Sequence, residues 1–94
     1  MAAEMTVVIA YDVESARIRR RVAKRLQAQL ARVQRSVFEG RLTRVAADRL
    51  YEDAEREIEE GDSLRMYVIT ASGLEHCRVA GGVALADASD CWLI

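Results

Sequence analysis

Val7, Val8, Ile9, Ala10 and Tyr11 form an unbroken apolar run that ends in Asp12. A short apolar run without alternation predicts a central strand covered on both faces. Asp12, Val13, Glu14 and Ser15 then supply turn and helix N-cap chemistry. From Ala16 to Leu30 the residues Ile18, Val22, Leu26 and Leu30 recur at every fourth position. Arg17, Arg20, Arg21, Lys24 and Arg25 are left for the other faces, so the segment predicts an amphipathic helix.

Residues Arg32 to Leu42 alternate, with Val33, Arg35 and Val37 on one side and Gln34, Ser36 and Phe38 on the other. This predicts strand, bent or split near Phe38-Glu39-Gly40. A second helix is expected from Arg44 to Glu60, with Ala47, Leu50, Tyr51, Ala54 and Ile58 on one face and Gly61 as its stop. Leu64 to Thr70 reads as strand, Ser72-Gly73 as a turn, and His76 to Val79 as a further strand before Gly81-Gly82. The chain ends in the apolar stretch Cys91-Trp92-Leu93-Ile94. The order of elements predicts an α+β ferredoxin-like β-α-β-β-α-β sandwich with both helices on one sheet face and an extra C-terminal strand. Residues 1–94 are read as one domain, with 1–5 as an N-terminal lead.

Length and composition fit that reading: 94 residues suit one domain, and 51% hydrophobic residues argue against disorder. The net charge of −1 predicts no polyanionic partner, but its distribution does. Ten basic residues and one acid, Glu39, lie between Arg17 and Arg44; eight acids and only Arg49 and Arg56 lie between Val45 and Asp62. A basic helix and strand followed by an acidic helix make the asymmetry of a polyanion footprint. Cys77 and Cys91 have no metal-ligand spacing and read as reduced thiols. No apolar run approaches the roughly 18 residues of a membrane span, and Met1-Ala2-Ala3-Glu4 has no basic leader region. A soluble intracellular protein is expected.

Asp12 is the first candidate for chemistry. A carboxylate at the end of a buried strand is costly unless hydrogen-bonded, paired or bound to a cation. It also suits a helix N-cap. One aspartate makes a poor Mg²⁺ site, and a symmetric dimer would bring a second. The arginines are the second candidate: thirteen arginines stand against one lysine, and the planar guanidinium fork suits phosphate. Arg17, Arg19, Arg20, Arg21 and Arg25, with Arg32 and Arg35 downstream, would bind backbone without reading sequence, or else form a solvated face. Phe38 suits stacking, an interface or the core. His76 is the single histidine, which leaves Ser–His and His–metal mechanisms without support.

The runs Ala10-Tyr11-Asp12-Val13, Arg19-Arg20-Arg21-Val22-Ala23-Lys24 and Arg32-Val33-Gln34-Arg35-Ser36-Val37-Phe38-Glu39-Gly40 resemble the CRISPR-associated protein two family, and so does the tail. The resemblance implies a symmetric ferredoxin-like homodimer in which residues 87–94 pack on the partner protomer. It implies a cytoplasmic prokaryotic protein of spacer acquisition that bridges dimers of the integrase subunit, CRISPR-associated protein one, and holds a foreign DNA duplex. It also implies metal-dependent endonuclease activity on RNA or double-stranded DNA, with Mg²⁺ as the divalent ion. By position, Asp12 is the catalytic and metal-binding acid, and Arg19, Arg21, Arg32 and Arg35 contact nucleic acid. Tyr11, Ser36 and Phe38 support them. Arg35 departs from the family, where that place is often aromatic. Two readings stand: a Mg²⁺-dependent phosphodiesterase, or a non-catalytic DNA-binding adaptor.

Overall fold

The computed structural model describes residues 2–84. The element order is β1 (Glu4–Asp12), α1 (Ala16–Gln27), β2 (Ala31–Gln34), β3 (Val37–Thr43), α2 (Arg44–Glu55), β4 (Ser63–Ile69) and a short helical turn, α3 (Ala71–Leu74). The four strands form one antiparallel sheet in the order β2-β3-β1-β4. This is the ferredoxin-like arrangement, with β1 inside the sheet as its apolar run requires. β1 begins at Glu4, inside the expected N-terminal lead.

Burial along β1 alternates rather than covering both faces. Val7, Ile9 and Tyr11 are buried, whereas Val8 and Ala10 are only half-buried. The core lies on the Val7 side, where Ile18, Val22 and Leu26 of α1 and Ala47, Leu50 and Ala54 of α2 meet Phe38, Leu42 and Leu64. The other face, with Val8 and Ala10, has no layer over it among the described residues. The continuous apolar run therefore codes for two faces of which the described residues cover one.

Local chemistry sets the boundaries. Ser15 caps α1 by accepting from the Ile18 N–H at 3.3 Å, so the cap is not Asp12. Thr43 caps α2 by accepting from the Ala46 N–H at 3.2 Å. The expected helix to Glu60 stops at Glu55, where Arg56 forms the C-cap and its Nη1 holds Asp53 Oδ1 at 2.6 Å. Tight turns lead on to Gly61, whose φ of +92° reverses the chain.

The expected break near Phe38-Glu39-Gly40 falls instead at Arg35-Ser36, where β2 turns into β3 after a register shift between Arg32 and Gln34. Gly40 lies within β3, opposite Val7. Its role is close packing: a Cβ there would sit 2.6 Å from Leu30 Cδ2. The expected Ser72-Gly73 turn lies within α3, and the strand expected at His76 to Val79 is a turn followed by irregular chain. The apolar tail at 87–94 lies outside the described residues. Among the described residues, no helix is long and apolar enough to cross a membrane.

Candidate nucleic-acid interface and the Asp12 strand end

Ala16, Arg19, Arg20, Ala23, Lys24 and Gln27 recur at three- and four-residue intervals, which places them on one side of α1. That side faces the β2–β3 edge, and between them runs an open groove of about 990 Å³. Its walls carry Arg19, Arg20, Lys24, Arg32 and Arg35 with Gln27 and Gln34, and no carboxylate. Ala16 and Ala23 line it beside these longer, exposed cations.

Buried aromatics hold Arg32 of β2. The Arg32 guanidinium carbon lies 5.1 Å from the centre of the Phe38 ring, and Arg32 Nη2 donates to Tyr11 Oη at 3.4 Å. The Tyr11 hydroxyl in turn donates to the Arg35 carbonyl at 3.3 Å. The Tyr11 and Phe38 rings stack with centroids 6.3 Å apart. The Ser36 carbonyl accepts from the Tyr11 N–H at 3.1 Å, which ties the β2–β3 turn to the end of β1. Phe38 is fully buried, so it supports Arg32 from below and offers no exposed stacking surface.

The helix arginines divide. Arg19 lines the groove, but its Nη1 donates to the carbonyls of Val13 and Glu14 at 2.9 and 2.7 Å. Arg21 lies outside the groove, 4.0 Å from Glu57. Arg25 Nε holds the same carboxylate at 2.7 Å, and that hydrogen bond raises the Arg25 pKa. Glu57 thus partly neutralises two arginines that sequence alone leaves free. Lys24, Gln27 and Gln34 are not among the site residues that sequence singles out; for Lys24 and Gln27 the available signal is their spacing from Arg20 on α1.

Asp12 is exposed and does not line the groove. Alternation along β1 directs it to the uncovered sheet face with Val8 and Ala10, opposite Ser63 of β4. The expected acid and the expected arginines therefore sit on different sides of the sheet within one chain. Among the described residues, no three His, Cys, Asp or Glu side chains converge on a possible metal position. The described residues of a single chain do not by themselves fit a divalent ion.

A family model of CRISPR associated protein Cas2 matches residues 5–76. A protein named CRISPR-associated endoribonuclease Cas2, from Thermofilum pendens, is 35% identical over 79 residues, covering 83% of this chain and 85% of the relative. Among solved structures, a hypothetical protein from Thermus thermophilus superposes with a TM-score of 0.75 at 30% identity, covering 86% of this chain and 96% of that one. Streptococcus pyogenes Cas2 gives a TM-score of 0.70 at 29% identity, over 82% of this chain and 100% of that one. A chain of a partial Cas6-RT-Cas1–Cas2 complex shares the fold, with a TM-score of 0.67 at 23% identity over 80% of this chain and 83% of that one. With most of its length matched by the family model and a relative 35% identical, the chain belongs to the CRISPR associated protein Cas2 family.

Proposed function

We propose that this protein works in CRISPR adaptation as a homodimer that grips foreign DNA by its backbone and bridges subunits of the integrase, CRISPR-associated protein one. One observation carries the reading: among the described residues, five cationic side chains and no carboxylate line the groove of a chain whose net charge is −1. Guanidinium and ammonium groups so placed neutralise phosphates and release counterions, which gives affinity without base recognition. The uncovered sheet face supports the dimer. Beside Glu39, Arg41 and Arg65 it carries Val8, Ala10, Val37, Tyr67 and Ile69, and apolar side chains on an uncovered sheet face are stabilised by a second layer. An isologous contact through that face brings each Asp12 toward its own copy.

A second reading is phosphodiester cleavage of RNA or double-stranded DNA, and the name of the Thermofilum pendens relative favours it. Here the two Asp12 carboxylates of a dimer would together offer oxygen donors to Mg²⁺, which the described residues of one chain do not gather. The ion would supply charge neutralisation at the scissile phosphate, and Arg32 and Arg35 would hold the strand.

Three assays on two variants separate the readings. Asp12→Asn should keep DNA binding and spacer acquisition in cells if the protein is an adaptor, and should lose Mg²⁺-dependent cleavage if it is a nuclease. Arg32→Ala combined with Arg35→Ala should lose binding under both. Unchanged binding and acquisition in that double variant would overturn the nucleic-acid reading. Sedimentation as a monomer at micromolar concentration would overturn the dimer, which deletion of residues 90–94 should weaken.

A further inference from the structure

Three residues, Val13 to Ser15, carry the chain from Asp12 at the end of β1 into α1. They belong to no strand or helix, yet side chains hold them from both sides. The Glu14 N–H donates to Asp62 Oδ1 at 3.2 Å. Asp62 Oδ2 accepts from the Glu59 N–H at 2.9 Å, so the one carboxylate joins the loop after β1 to the loop before β4. From the α1 side, Arg19 Nη1 takes the carbonyls of Val13 and Glu14 at 2.9 and 2.7 Å. Asp12 itself pairs with Ser63, the residue after Asp62.

We infer that Asp62, together with Arg19, is a clamp that fixes the Asp12 strand end, with Asp62 a positioning residue for the Asp12 carboxylate. This rests on the proposed part played by Asp12. Two carboxylate copies meeting across a dimer axis need their backbones set to within fractions of an ångström, and a three-residue loop does not ensure that by itself. Each oxygen of Asp62 has a separate amide to hold, so the chemistry is graded. An amide side chain at position 62 offers one acceptor and keeps one of the two bonds. A methyl group keeps neither. The same geometry assigns one nitrogen of Arg19 to the protein's own loop, which leaves Nη2 and Nε for the groove.

The test is NMR on the intact protein. Asp62→Ala should speed amide exchange at both Glu14 and Glu59 by about tenfold, and should move or broaden the Asp12 carboxyl carbon signal. The Val8 ladder amide and the Ile18 amide held by Ser15 should keep their protection. Asp62→Asn should release only one of the two amides, which serves as the readout if the alanine variant folds poorly. In a cleavage assay Asp62→Ala should lower kcat with KM unchanged. An Asp12 signal identical in the parent and Asp62→Ala overturns the clamp. Cleavage that survives Asp12→Asn counts against the part proposed for Asp12, and the NMR result then decides the clamp by itself.

Discussion

Arg32 stands over the Phe38 ring, its guanidinium carbon 5.1 Å from the ring centre and its Nη2 3.4 Å from Tyr11 Oη. A fully buried ring and a buried phenol therefore orient an exposed cation at the groove rim. Arg32→Lys keeps the charge but loses the planar fork, so it should weaken DNA binding nearly as much as Arg32→Ala. Tyr11→Phe should cost less, because the ring stack remains. Fluorescence anisotropy titrations of the three variants against one duplex would check the ranking, and equal affinity for Arg32→Lys and the parent would show that only charge counts.

Glu57 gives the opposite expectation. It sits between Arg21 at 4.0 Å and Arg25 at 2.7 Å and holds both away from phosphate. The pair is solvent-exposed, so Glu57→Gln should change stability by no more than about 1 kcal/mol. It should tighten duplex binding, because two more cations extend the track along α1. Denaturant midpoints and binding isotherms together check this, and weaker binding would mean that the ion pair orders α1 for contact.

Gly40 and Leu30 pack without room for another atom, since a Cβ at Gly40 would stand 2.6 Å from Leu30 Cδ2. Gly40→Ala should destabilise by about 1–3 kcal/mol, the usual range for overpacking. Leu30→Ala is itself destabilising, but the double variant should lose less than the sum of the two single changes. Urea unfolding of the two single variants and the double variant gives the coupling, and strict additivity would show that the side chains do not compete.

The sheet, both helices and the basic character of α1 were legible in the sequence because each rests on local periodicity. Val7, Ile9 and Tyr11 mark β1, and Ile18, Val22 and Leu26 mark α1. What sequence did not disclose depends on contacts distant along the chain. Gly40 reads as a bend until Leu30 is seen against it. Arg21 and Arg25 read as free until Glu57, more than thirty residues on, is seen between them. The end of α2 at Glu55 passes into tight turns through Glu57 and Ile58, which apolar spacing through Ile58 conceals. The separation of Asp12 from the arginines follows from strand alternation, and a linear motif that lists them together does not convey it.

The salt dependence of duplex binding tests the phosphate groove most directly, measured for the intact protein, Asp12→Asn and the Arg20→Ala/Lys24→Ala double variant. On a log–log plot the intact protein should lose affinity steeply, with each neutralised phosphate contributing a slope of about −0.9. The double variant should flatten that slope by up to about two units, or about four where both protomers engage one duplex. Asp12→Asn, on the other sheet face, should leave it unchanged. A slope near zero for the intact protein, or one that Arg20→Ala/Lys24→Ala does not alter, would contradict phosphate binding in the groove.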